Sequence, residues 1–136
     1  MMSPSGNASP QDPAWNVEER ISKSEADLGT ATREFAVVVK PNYDSVCYHA
    51  QQCAEKILKA LIVRRGSLPP KTHDLNRLME LVRQGDNKLD FDARVLAELT
   101  SVAVDVRYPG FGAGREDAAK ALEAAKELWD RIRPIL

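Results

Sequence analysis

The chain is poor in the residues that most often announce chemistry. Two cysteines and two histidines are present in 136 residues. Cys47 and Cys53 lie in one helix-like stretch, so a rise of about 1.5 Å per residue separates their Cα atoms by roughly 9 Å, too far for a disulfide. No CxxC occurs, and no His/Cys set has zinc-ligand spacing. Aromatics make up 6% of the chain, which gives no evident platform for stacking single-stranded bases. A formal charge of −1 argues against a broadly basic nucleic-acid surface but leaves room for a local basic pocket. No apolar run is long enough to cross a bilayer, and the first residues lack the apolar core of a secretory signal. A cytoplasmic location is the resulting expectation. No strand pattern precedes Gly110, Gly112 and Gly114, and no Lys-Ser or Lys-Thr follows them, which excludes a phosphate-binding loop of the strand–loop–helix type. The same absence of strands removes the context for a Rossmann site or a nucleophile elbow.

What remains is helical periodicity. Residues 1–13, rich in Ser, Pro, Asn and Gly, read as a flexible tail that buries too little apolar surface to offset its ordering entropy. Residues 14–136 read as one domain, with Trp15 anchoring its start. The clearest helix spans 43–65, where Val46, Cys47, Ala50, Ala54, Ile57, Leu58, Leu61 and Ile62 recur at steps of three and four. Asp44 or Ser45 is its expected N-cap. A preceding helix over 16–39 carries Val17, Ile21, Leu28, Ala31, Phe35 and Val39 on one face, weakened slightly by Gly29 and closed by Pro41. A short helix follows Lys71, capped by Thr72 or Asp74, with Leu75, Leu78, Met79 and Val82 inward and Gly85, Asp86 and Asn87 ending it. A helix over 90–107 carries Phe91, Val95, Leu99, Val102 and Val106 as a stripe. Its second face, with Ala97, Ser101 and Val104, suits a partner subunit. The last helix, over 116–133, presents Ala118, Ala121, Leu122, Ala125, Leu128, Trp129 and Ile132 and stops at Pro134.

The far face of the 43–65 helix carries His49, Gln52, Lys56 and Lys59, with Tyr48 and Glu55 alongside. Two of its cations suffice to hold an anion, whereas an ordinary hydrated, salt-bridged face is the plainer account. On that account truncating Lys59 costs little, while truncating the inward Leu58 costs about 2–5 kcal/mol. His73 admits two roles, as a proton donor or phosphate contact near a helix N-terminus, or as part of a turn that locks onto the 43–65 helix; the second is preferred.

Three blocks carry a family resemblance: YHAQQCAEKILKALIV at 48–63, KTHDLNRLMELV at 71–82 and VRYPG at 106–110. In this order and spacing they resemble the HEPN family of small helical proteins. The resemblance implies an all-α fold, an antiparallel up-and-down four-helix bundle with an additional short helix, usually assembled as a dimer. Many relatives are RNases in toxin–antitoxin, CRISPR-linked or other defence systems. Others bind nucleotides or pair with a small nucleotidyltransferase encoded next door. In the nucleases an Arg, usually followed by a polar residue, precedes a His by about four to six positions; the Arg stabilises phosphate charge and the His transfers protons during 2′-hydroxyl attack. This chain keeps the Arg as Arg107, puts Tyr108 in the polar slot, and has no His after His73. The expectation is therefore a non-catalytic HEPN-type domain, needing no metal or cofactor, that binds a nucleotide or RNA phosphate or a nucleotidyltransferase partner, within a toxin–antitoxin or defence system. His49, Lys56, Lys59 and Arg107 are the candidate anion site; His73, Asp74 and Tyr108 belong to the structural motif. The alternative is a divergent metal-independent ribonuclease using Arg107 with a displaced base, His49 or His73.

Overall fold

The computed structural model describes residues 15–85 and 88–136, which form five α-helices and no strand. They are α1 Val17–Phe35, α2 Tyr43–Arg64, α3 Leu75–Gly85, α4 Ala93–Asp105 and α5 Arg115–Ile132, with a 3₁₀ turn Arg133–Ile135 at the end. The expected tail at 1–13, and Asp86 and Asn87 as the end of α3, lie outside the described residues. The helices are those that the periodicity predicts, and they form the all-α helical bundle with one short helix, α3, that the resemblance implies.

α2 is the axis of the bundle. Every residue of its predicted apolar stripe is buried, and it packs against all four other helices, most extensively α1 and then α5. Each large aliphatic side chain so enclosed stabilises the fold by about 1.5–3 kcal/mol relative to exposure. Alanines 118, 121, 124 and 125 line the buried side of α5 and let its backbone approach closely.

The caps and ends differ from expectation at several points. Asn42, not Asp44 or Ser45, caps α2; its Oδ1 accepts the Ser45 N–H at 2.9 Å. Asp44 instead reaches across the bundle and accepts the Ala113 N–H at 2.7 Å, fastening the segment before α5. α1 ends at Phe35, four residues before Val39, which is 77% exposed. The reason is the turn that follows. Lys40, held ahead of Pro41, takes a left-handed φ of 52°, and the Asn42 N–H donates to Glu34 at 2.9 Å, reversing the chain into α2. α3 begins where Asp74 accepts the Leu78 N–H on its backbone carbonyl and the Asn76 N–H on its carboxylate.

α4 is shorter than 90–107 and is rotated from the predicted stripe. Leu96, Leu99 and Ala103 are its buried edge, while Val95 and Val104 are 39% and 43% exposed. The rotation follows from the anchors on either side of it: Thr100 accepts the Leu75 N–H at 3.2 Å, and Asn76 donates to the Ala93 carbonyl at 2.9 Å. Beyond α4 the chain turns at Gly110, whose φ of 92° suits a residue without Cβ.

Candidate functional site

The polar face of α2 is built around two buried carboxylates, Asp27 on α1 and Glu55 on α2 itself. Asp27 lies in register with Ile21, Ser24 and Ala31, so the bundle carries it inward with them. One of its oxygens holds His49 Nδ1 at 2.8 Å and the other accepts from Lys56 Nζ at 2.6 Å. Beside it, the Ser24 hydroxyl donates to the Cys53 carbonyl at 2.7 Å, tying α1 to α2 through the same layer.

Glu55 repeats the pattern one step along. Its Oε1 meets His73 Nδ1 at 2.8 Å and accepts from Gln51 Nε2 at 3.2 Å, while its Oε2 accepts from Lys59 Nζ at 3.0 Å. Burial alone would raise its pKa; the hydrogen bonds from His73, Lys59 and Gln51, with the Lys59 charge, outweigh it and hold the carboxyl below its ordinary value. Gln51 also donates to the His73 carbonyl at 3.0 Å, and Gln52 donates to Gln51 at 2.9 Å. The segment before α3 is thereby latched onto α2 through His73 ring and backbone together.

The four residues of the predicted anion site separate into two places. His49, Lys56 and Lys59 lie along the α2 polar layer, each already facing a carboxylate. Lys59 is only 14% exposed, so it is a bundle constituent and not a free surface cation. Arg107 stands apart, past the end of α4, with its Cζ 5.2 Å from the centroid of the Tyr48 ring. No carboxylate among the described residues pairs with its guanidinium. Tyr48, Arg107 and Val106 line a shallow hollow of about 260 Å³ with Asn42, Asp44 and Ser45, at the N-terminal end of α2. Tyr48 also meets His49 edge-on, ring centroids 5.3 Å apart. The hollow offers a guanidinium, a hydroxyl and the positive end of a long helix, with the Asp44 carboxylate, which already accepts the Ala113 N–H, on the same wall. Tyr108, which follows Arg107 in the chain, is 63% exposed and is not part of the lining.

Among the described residues no three His, Cys, Asp or Glu side chains gather as a metal centre requires. Nor is any described helix long and apolar enough to cross a membrane. Both thiols are fully buried and pushed up to about 11, chiefly by that burial.

The HEPN domain family model matches residues 17–135, every helix of the bundle. The chain is a member of the HEPN domain family. Two solved structures share the fold of this HEPN domain. TT1696 from Thermus thermophilus is 22% identical, with a TM-score of 0.70 over 88% of this chain and 98% of its own. ST0689, described as an archaeal HEPN homologue, is 23% identical, with a TM-score of 0.63 over 87% and 95%. No curated protein matches the chain in sequence. At these identities the likeness establishes the fold alone.

In this HEPN domain the three resembling blocks meet on α2: Gln51 and Glu55 from the first grip His73 from the second, and Tyr48 from the first lies under Arg107 from the third. Asp27 and Gln51, which organise the polar layer, were not among the candidates of the sequence. Polar residues at the spacing of the inward face of α1, Ser24 and Asp27 between Ile21 and Ala31, were the available signal for Asp27.

Proposed function

We propose that this HEPN domain is a non-catalytic binding module that takes a phosphate of a nucleotide or RNA end in the hollow of Arg107 and Tyr48. The observation that carries this reading is that Arg107, alone among the four candidate residues, makes no ion pair with a carboxylate among the described residues, the Asp44 carboxylate on the same wall being taken up by the Ala113 N–H. An incoming phosphate gains a bidentate, charge-assisted contact there without displacing an existing ion pair. At Lys56 or Lys59 it would have to compete with Asp27 or Glu55 at contact distance. Homodimerisation and a nucleotidyltransferase-type protein partner, in a toxin–antitoxin or defence setting, belong to the same proposal and rest on the family likeness.

The test is a thermal-shift and calorimetric screen of ATP, GTP, their monophosphates and a short single-stranded RNA at low salt. Saturable binding that Arg107→Ala abolishes and Lys56→Ala retains is the expected result. Binding lost in Lys56→Ala but kept in Arg107→Ala would return the site to the α2 polar layer. Failure of all ligands would leave protein partnership as the function.

One arrangement favours a second reading, the divergent ribonuclease. Tyr48 carries Arg107 on its face and His49 at its edge, and Asp27 holds His49 by Nδ1, leaving Nε2 for proton transfer. Cleavage of an end-labelled RNA without metal, lost in both His49→Ala and Arg107→Ala, would make the domain an enzyme.

A further inference from the structure

A groove of about 620 Å³ lies on another face, between α4 and α5. Val95, Leu99, Val102, Phe111 and Ala124 give it an apolar floor. Val95 and Phe111 are 39% and 38% exposed, so apolar surface is open to water at the groove, while Leu99 and Ala124 are buried beneath it. Its rims are acidic on both sides: Glu98 and Asp105 from α4, Asp117, Glu123 and Glu127 from α5, against the one lining cation Lys120.

The state of those charges is informative. Lys120 is turned to Glu116 at 3.5 Å, Glu127 pairs with Arg131 at 3.1 Å, and Asp117 accepts the Gly114 N–H. Glu98, Asp105 and Glu123 are exposed and have no ion pair among the described residues. The buried carboxylates of the α2 layer, in contrast, are each satisfied within the fold. Glu98 and Asp105 stand two turns apart on one side of α4, about 10 Å along its axis.

We propose that this groove docks a basic amphipathic helix of another protein, its apolar stripe on the Val95–Phe111 floor and its Lys or Arg residues against the two acidic rims. A helix laid along the groove presents residues at i and i+7 with the same spacing as Glu98 and Asp105, so the charges on the two sides can register. Nucleic acid and anionic lipid are repelled by this face. A second copy of the chain would set one acidic rim against another, with like-charge juxtaposition opposing it. The inference is independent of the Arg107 hollow, which lies on other residues.

The test uses the full chain and two synthetic labelled peptides with the same leucine spacing, one with lysines and one with glutamates on the flanking positions. Fluorescence anisotropy should show saturable binding of the lysine peptide and none of the glutamate peptide. Glu98→Lys with Glu123→Lys should weaken it at least about tenfold, while Glu80→Lys on α3 leaves it unchanged, all with wild-type circular dichroism. Equal binding of the two peptides, no saturation, or indifference to the paired charge reversal overturns the proposal. So does a change in molar mass by light scattering in that variant, since the groove is then an interface between copies.

Discussion

Replacing Glu55 by Gln should destabilise the domain by about 2–4 kcal/mol at neutral pH. The carboxylate is 6% exposed and receives three hydrogen bonds, from Gln51, Lys59 and His73. Gln keeps the shape but carries no charge, so the Lys59 ammonium, 14% exposed, is left enclosed without its counter-ion. The His73 contact adds less, because that ring is 66% exposed and water screens it. The loss corresponds to a Tm lower by roughly 10 °C for a domain of this size. The pH dependence has a definite sign. Glu55 has a folded-state pKa below its unfolded value of about 4.3, so its contribution is complete above that value and disappears as pH falls through the folded pKa. Denaturant unfolding of wild type and Glu55→Gln should therefore differ fully at pH 7 and converge as the pH falls through the folded-state pKa. Adding Lys59→Met to Glu55→Gln should recover much of the loss, since the stranded charge goes with it. A Glu55→Gln protein as stable as wild type at pH 7, or a difference that persists undiminished in acid, would refute the assignment of Glu55 as the charged centre of the layer.

Leu58→Ala should cost about 2–5 kcal/mol, because the side chain is fully buried on α2, and Lys59→Ala, against its surface-like sequence position, about 1–3 kcal/mol; denaturant midpoints check both. Gly29→Ala should stabilise by about 0.5–1 kcal/mol, since a Cβ there meets only the flexible tip of Arg33; a lower Tm would show that Arg33 cannot move. Cys47 and Cys53, fully buried with thiols at about 11, should not react with a disulfide reagent at pH 8 in the native protein and should react fully in denaturant.

The sequence made the helices legible wherever burial is one-sided. Leu75, Leu78, Met79 and Val82 on α3 and the stripe of α2 stand inward as their spacing requires. It misled where tertiary anchors choose the rotation, as at α4, whose apolar residues exceed what one face can bury; Thr100 and Asn76 decide which of them turn inward. Val39 continues the α1 period on paper, but a reversal set by Glu34, Lys40 and Asn42 removes it from the helix. The polar layer was half visible. His49, Lys56 and Lys59 share a face of α2 by spacing alone, yet their neutralisation depends on Asp27, 22 residues before His49, and no local pattern links the two.

The central position of α2 also bears on how the chain folds. α1 and α2 make the most extensive contact in the molecule and are joined by the link 36–42, so their association closes a short loop and needs little chain entropy. α4 and α5, which touch each other sparsely, can add to that hairpin only after α2 is in place. Truncations at the α1–α2 contact should then slow refolding, whereas truncations on α5 should chiefly speed unfolding. With α2 shared by every packing contact of size, α1 and α5 cannot detach without exposing it, and the domain should melt in one cooperative step.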